Sequence, residues 1–435
     1  MAYVTQPVQG EELNRPYADD LPVHEWYRFV LSFPPHLIRS YLERFDVAST
    51  DCVLDPFCGT GTTLVEAKKN GVRSVGTEAN PVVHFAASVK TDWAIAPERF
   101  LAFAESVAEI VREDLSEQQL FTGPLFRSAN GELKLRTLDN ERQRLLIKDS
   151  ISPIPLHKAL CLRDAIDAHP DQPFHRHARL ALAKQLVTTI GNLRFGPEVG
   201  VGKVKENAPV VSAWLDGVQR MAEDLEVVRR LPAASATVYH GDARALAAHI
   251  APASINAVIT SPPYPNEKDY SRTTRLESVL LGFLNSRQAL RQQKKGFLRS
   301  NTRAVYKGDD DDRWIEGVSS VIDLAAEIEA RRIELGKTSG FERNYARVVR
   351  LYFGGMARHL EALKPLLRPG AQLAYVVGDQ ASFFRIMIRT GTILAEIAER
   401  LGYEVVDIDL FRTRFSTATK DYLREEVVIL RWKGQ

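Results

Sequence analysis

Towards both ends of this chain, short apolar runs that stop at polar or glycine-rich turns alternate with amphipathic stretches. The alternation predicts strands joined by crossover helices. The first unit is CVLDPFCGTGTTLVEAKKNGVRSVGTEANP, from Cys52 to Pro81. Its apolar start, Cys52 to Leu54, reads as a buried strand ending at Asp55. A glycine-rich turn follows, then a helix from Thr62 to Lys69 closed by Asn70-Gly71, and a second strand from Val72 to Glu78. Such an order implies a parallel sheet. The pattern resumes with ATVYHGDAR and INAVITSPPY, two runs that each end in polar residues. The amphipathic helix YFGGMARHLEALKPLLRPG, the strand QLAYVVGD, the helix TILAEIAERLGY and the strands EVVDIDLF and EEVVILRW close the chain. Strands on both sides of the intervening segments are assigned to one sheet.

The intervening segments read differently. From Pro97 to Leu231 the pattern is mainly helical, as in FLAFAESVAEIVREDL, HARLALAKQLVTTIGNL and VSAWLDGVQRMAEDLEVVRRL. It is interrupted by a Pro- and His-containing stretch, Ile151 to His177, and by GPEVGVGK, Gly196 to Lys203, which reads as a loop or plain connection. A basic stretch from Asn285, the acidic run Asp309 to Asp312 and a helix around IDLAAEIEARRIEL form a second interruption. The chain therefore divides into catalytic-sheet segments over 1–100, 231–284 and 346–435, a helical insertion over 101–230 and a basic insertion over 285–345.

With 45% hydrophobic and 26% charged residues, the 435-residue chain has the composition of a packed globular protein, which sets aside a mostly disordered or fibrous one. Fifty-seven Lys+Arg against 55 Asp+Glu leave a net charge of +2. A polyanion must then be met by a local patch. The three cysteines, Cys52, Cys58 and Cys161, include no CxxC pair, which argues against a disulfide framework or a cysteine zinc site and for a reducing, cytoplasmic setting. No run approaches 18 apolar residues, and the first 20 residues lack a basic start followed by an apolar stretch, so neither a membrane span nor a leader is expected. His157, His169, His175 and His177 lack cysteines or paired carboxylates at ligand spacing, and no metal site is assigned.

The chemistry concentrates at two turns. Asp55-Pro56-Phe57-Cys58-Gly59-Thr60-Gly61 lets the backbone approach a ligand closely, because glycine lacks Cβ. Thr62 stands where a phosphate-binding loop would need lysine, and Leu64 where the dinucleotide fingerprint needs its third glycine. Glu78 closes the second strand 19 residues after Gly59, where a carboxylate usually meets ribose hydroxyls. A ribose without pyrophosphate is the economical reading, and S-adenosylmethionine meets it, its cationic end suiting Asp55. A GxG alone would serve as a tight turn just as well; Asp55 and Glu78 together shift the reading to a ligand site. Ser261-Pro262-Pro263-Tyr264 is the second turn. Its prolines stiffen it and free the carbonyls of Ser261 and Pro262 as acceptors, and Tyr264 adds an aromatic face. Such a turn suits a planar base with an exocyclic amine.

DPFCGTGTT and TSPPY together resemble motifs I and IV of the DNA amino-methyltransferases, and SPPY is similar to the N4-cytosine type more than to the DPPY of N6-adenine enzymes. SFPPHL, Ser32 to Leu37, resembles motif X, which encloses the methionine end of the cofactor, and GDA, Gly241 to Ala243, resembles motif III on its adenine side. The context SPPYPNEKDYSRTTRLE, with Asn266, Asp269, Tyr270 and Arg272, is also similar to family members. The order of the motifs, glycine turn first and SPPY 200 residues after Gly61, resembles some adenine-modifying members.

The resemblance implies an α/β fold, a Rossmann-like class I methyltransferase sheet of about seven mostly parallel strands with inserted helical and DNA-recognition segments. It implies S-adenosylmethionine held by Phe33, Pro34, Asp55, Phe57, Cys58, Gly59, Thr60, Gly61, Thr62, Glu78 and Asp242, with Ser261, Pro262, Pro263 and Tyr264 as catalytic residues. The expected reaction methylates the exocyclic amine of a flipped base, N4 of cytosine first and N6 of adenine as the alternative, in double-stranded DNA, with a cognate restriction endonuclease as companion. C5 methylation needs a thiolate after proline, and no Pro-Cys turn exists. RNA or protein methylation, where related enzymes carry NPPY, and a non-catalytic DNA-binding protein remain as further readings. DNA contacts are assigned to Arg272 and to Arg287, Arg291, Lys294, Lys295, Arg299, Arg303 and Lys307, most of them four apart, which on one helix would form a slowly winding stripe. A solvated basic face balanced by the four aspartates is the blander reading.

Overall fold

The computed structural model describes residues 13, 15–28, 32–117, 135–196, 198–232, 234–266, 268–416 and 419–434. The first 12 residues, part of the stretch read as lacking a leader, lie outside them. Seven strands form the main sheet: β1 (Cys52–Asp55), β2 (Arg73–Glu78), β3 (Ala236–His240), β4 (Ile255–Thr260), β5 (Leu367–Gly378), β6 (Glu404–Ser416) and β7 (Asp421–Arg431). Their spatial order is β3-β2-β1-β4-β5-β7-β6. β3, β2, β1, β4 and β5 are parallel, and β7 pairs antiparallel with both β5 and β6. This is a Rossmann-like α/β sheet, mostly parallel. Strand order reverses between β1 and β4, where a crevice opens beyond the strand ends and ligands bind in such sheets.

Alternation along the strands sorts the core into two faces. Leu54, Val258, Leu373 and Tyr375 face helices α9 (Ser319–Glu334) and α10 (Tyr345–Leu363). Val53, Ala257, Ile259 and Ala374 face α1 (Pro35–Arg44). A third apolar cluster belongs to the long helices between β2 and β3, centred on Phe100, Leu160, Leu180 and Trp214. Its Asp224 accepts from the Val23 N–H and the Trp26 indole, both at 2.8 Å, and so ties the N-terminal segment to this layer.

Two expectations are corrected here. The stretch from Ile151 to His177 contains a full helix, Pro153–Asp167, rather than only a polar break. Pro153 and Pro155 fall in its first turn, where a missing N–H costs nothing, and Leu156, Leu160 and Ile166 are buried. GPEVGVGK contributes to a small antiparallel hairpin, Leu193–Phe195 with Val199–Val201.

The backbone at Asp311 crosses α10 at Gly354. A Cβ placed on Gly354 would stand 2.1 Å from the Asp311 carbonyl oxygen, and one on Gly355 2.4 Å from a Leu298 methyl. Gly354→Ala is therefore expected to destabilise the protein by about 2–3 kcal/mol, through overpacking against backbone that cannot step aside. Denaturant melts would measure it; a loss under ~0.5 kcal/mol would mean that the crossing loop yields freely.

Candidate active site

At the end of β1, Asp55 turns inward. Its Oδ1 accepts from the Thr260 hydroxyl at 2.6 Å and the Phe57 N–H at 3.2 Å, while Oδ2 has no partner among the described residues. Burial, only partly offset by these donors, pushes its pKa up to about 6. Gly59 and Gly61 carry φ of +51° and +84°, values that L side chains rarely adopt. Gly61 also caps the helix Thr62–Lys69 and lies close under Ala87. Glu78 at the end of β2 straps this turn: its Oε2 accepts from the Gly59 N–H at 3.0 Å and its Oε1 from the Asn80 N–H at 2.7 Å. Burial again dominates and raises Glu78 to about 7.

A cavity of about 1420 Å³ opens above these strand ends. That exceeds the several hundred cubic ångströms of an ordinary small-molecule site, leaving room for two ligands side by side. Of the expected residues, Phe33, Phe57, Cys58, Gly59, Thr60, Thr62, Glu78, Asp242, Ser261, Pro262, Pro263 and Tyr264 line it. Pro34, Asp55 and Gly61 do not reach its surface and stand directly behind residues that do. Cys58 is buried, and burial holds its thiol well above the ordinary range, so no thiolate nucleophile is offered.

The SPPY turn leaves β4 next to the glycine turn. Ser261 Oγ lies 3.1 Å from the Val376 carbonyl and donates to it. A carbonyl takes only a donor, so the hydroxyl proton is directed away and the serine lone pairs remain free to accept. The Tyr264 ring packs against the backbone of Gly378 on β5, and burial pushes its phenol up. Beyond it, Arg412 and Glu425 form a double hydrogen-bonded pair at 2.6 and 2.9 Å.

The basic run corrects an expectation. It is one helix only over Arg287–Lys295, ending at Gly296, so the seven charges form no continuous stripe. Lys294 is buried and bonded to Asp269 at 2.6 Å, which fixes the helix to the loop after SPPY. Arg299 is buried and paired with Asp309 at 2.9 Å. Neither is available to a phosphate. Arg287, Arg291, Lys295, Arg303 and Lys307 are exposed, whereas Arg272 is only part-exposed. The blander reading holds in part: Asp309 neutralises Arg299, and Asp311, 3% exposed, joins Arg244 and Arg358.

Arg244 in the cavity wall and His359 behind it had no signal in the sequence. Arg244 holds Asp242 at 2.6 Å and accepts no role in the GDA motif itself; it also donates to the Lys295 carbonyl at 3.2 Å, linking the adjoining insertion to the cavity wall. His359 is fully buried, with Nδ1 2.8 Å from the Ala243 carbonyl and Nε2 2.7 Å from the Tyr375 hydroxyl. Burial lowers it to about 4, so it is neutral; Nδ1–H donates to the carbonyl and Nε2 accepts from the tyrosine. Its ring meets Phe57 edge-on at 4.9 Å. Only the fold brings this histidine of an amphipathic helix behind Phe57, which lines the cavity. Of the four histidines considered for a metal, His157 accepts from the Arg136 N–H, His169 meets the Phe103 ring edge-on, His175 meets Asp167, and His177 meets the Asp92 carbonyl.

The family model described as DNA methylase, of the N6/N4 type, matches residues 8–87. Type II methyltransferase M.BsoBI of Geobacillus stearothermophilus is 24% identical over 442 aligned residues, covering 94% of this chain and 84% of that protein. Type II methyltransferase M.AvaI of a Nostoc species is 21% identical over 410, covering 89% and 80%. M.MjaII of Methanocaldococcus jannaschii is 38% identical over 69 residues, which are 16% of this chain and 13% of that protein.

Proposed function

We propose, from a kinship that marks the chain as an amino-methyltransferase of the restriction–modification type, that it methylates the exocyclic amine of a base extruded from double-stranded DNA. Methyltransferases of this kind use S-adenosylmethionine, which supplies an electrophilic methyl group. The site fits that cofactor: around the glycine turn, buried Asp55 Oδ2, Thr60 Oγ1 and Thr77 Oγ1 have no partner among the described residues, as polar atoms awaiting a ligand do. Glu78 would hold the ribose hydroxyls, Asp55 would favour the cationic end, and Asp242 would face the adenine.

The observation that carries the reading is the orientation of Ser261. An amine conjugated with its ring is a poor nucleophile. Ser261 Oγ, its own proton committed to Val376, and the Pro262 carbonyl would accept the amine protons and localise the nitrogen lone pair. Tyr264 would stack on the base, and the rigid turn would hold it in line. No covalent intermediate is required. We assign N4 of cytosine on the serine that opens the turn; N6 of adenine is the second reading, favoured by the order of the two motifs. Among the described residues no helix is long and apolar enough to cross a membrane, and a cytoplasmic, nucleoid-associated enzyme with a cognate endonuclease fits the type II relatives.

The test is incubation of the purified protein with labelled S-adenosylmethionine and either DNA or tRNA, followed by nucleoside mass spectrometry. N4-methylcytosine in DNA is the expected product. N6-methyladenine would overturn the base assignment, and absence of label in DNA would overturn the function.

A further inference from the structure

β6 and β7 extend past the sheet that they close. The ladder between β7 and β5 ends at Glu425 opposite Gly378, with one further bond from the Asp379 N–H to the Arg424 carbonyl at 2.8 Å, whereas β6 and β7 remain paired with each other out to Ser416 and Asp421. The pairs Arg414–Leu423, Phe415–Tyr422 and Ser416–Asp421 thus form a two-stranded ribbon beyond the sheet edge. Its base is the Arg412–Glu425 pair beside Tyr264, and its residues share the cavity with the SPPY turn. At a rise of about 3.3 Å per residue, Phe415 stands about 10 Å beyond Arg412, a reach of roughly three stacked bases.

The tip has an unusual composition for an edge ribbon. Phe415 is 54% exposed and Tyr422 40%, directly opposed with ring centroids 5.4 Å apart in an edge-to-face pair. Arg414 and Lys420 beside them are exposed. A part-exposed aromatic pair next to the SPPY turn, flanked by cations, has the chemistry of a base-stacking element: flat faces for the bases, positive charge for the phosphates. A peptide or a second copy of this chain would gain nothing from the position of the pair at the mouth of the base cavity.

Resting on the DNA amino-methyltransferase reading, we propose that Phe415 and Tyr422 enter the duplex beside the extruded target and stack on the bases left behind, holding the helix open while the target occupies the SPPY turn. The ribbon then does part of the work of separating the base pair, work that is smaller when the target is mispaired.

The experiment compares two duplex oligonucleotides carrying the site mapped by sequencing DNA modified by the wild-type enzyme, one matched and one with a mismatch opposite the target base. The double variant Phe415→Ala/Tyr422→Ala is expected to lose about 10- to 100-fold in kcat/KM on the matched duplex, the size of a lost base-stacking contact. On the mismatched duplex it should come within about threefold of the wild type. Unchanged S-adenosylmethionine affinity by calorimetry verifies the fold. The aromatic-preserving variant Phe415→Tyr/Tyr422→Phe should keep the matched-duplex rate. Equal losses on both duplexes, no loss on the matched one, or failure of the aromatic-preserving variant would each overturn the proposal while leaving the methyltransferase reading intact. A wild-type protein that methylates no DNA would remove that reading and the proposal with it.

Discussion

Alanine at Ser261 is expected to lower the methyl-transfer rate about 10²–10³-fold, the usual cost of removing one preorganised polar partner of a transition state, with S-adenosylmethionine affinity within about threefold of the wild type. The two effects separate because the serine and the cofactor turn hang from different strands. Ser261 follows β4, and its hydroxyl donates to the Val376 carbonyl on β5; the glycine turn is held from β2, through Glu78 to Gly59. Losing the hydroxyl leaves the Val376 carbonyl one donor short but leaves the Glu78 strap in place. Single-turnover transfer and calorimetric cofactor binding, measured on the same preparation, decide the matter. A parallel loss of both would mean that the SPPY turn supports the cavity rather than the reaction. Some activity should survive in the variant, since the Pro262 carbonyl, a main-chain group, is untouched by the substitution.

How far the chain announces this site depends on how local the cause is. The strand–turn–helix–strand unit was legible because every feature lies within 30 residues: an apolar run, two glycines at positive φ, a closing Asn-Gly and a carboxylate ending the next strand. The ribbon was not. Its strands read as Glu404 to Phe411 and Glu425 to Trp432, but they run to Ser416 and from Asp421. Outside the sheet only Leu423 of the ribbon is buried, so the apolar alternation that signals a strand is lost. Pro153 and Pro155 hid a helix for the opposite reason, since proline breaks a helix in its interior and suits its first turn. In the basic run the charges were countable, but their partners were not: Lys294 meets Asp269 and Arg299 meets Asp309 only once the insertion folds back onto the catalytic loop. Gly354 and Gly355 likewise carried no signal of their own within an amphipathic helix. They are the place where the backbone at Asp311 crosses it, and this crossing carries Asp311 to Arg244 and so to the cavity wall.

The second large effect concerns proton release at Glu78. Without ligand the carboxyl sits near pH 7, because burial and the neighbouring Asp55 charge outweigh the N–H groups of Asn80 and Gly59 that favour the ionised form. Two ribose hydroxyls donating to it would favour the carboxylate further, so the bound state would hold a lower pKa than the free one. The sign follows: above pH 7 the free enzyme is already ionised and affinity is flat, whereas below pH 7 binding must expel a proton. The dissociation constant of S-adenosylmethionine is therefore expected to rise by up to about tenfold per pH unit on descending from 7. Asp55, raised to about 6, adds its own dependence from about one unit above that value downward, which leaves the window from about pH 7 to 8 to Glu78. Glu78→Gln should weaken binding at pH 8 by about 10- to 100-fold, the equivalent of a lost hydrogen bond to a charged group, and should flatten the profile in that window. Calorimetry in two buffers of different ionisation enthalpy counts the protons directly. About half a proton released near pH 7 by the wild type and almost none by the glutamine variant is the expected result; the same pH slope in both proteins would remove Glu78 from the ribose site.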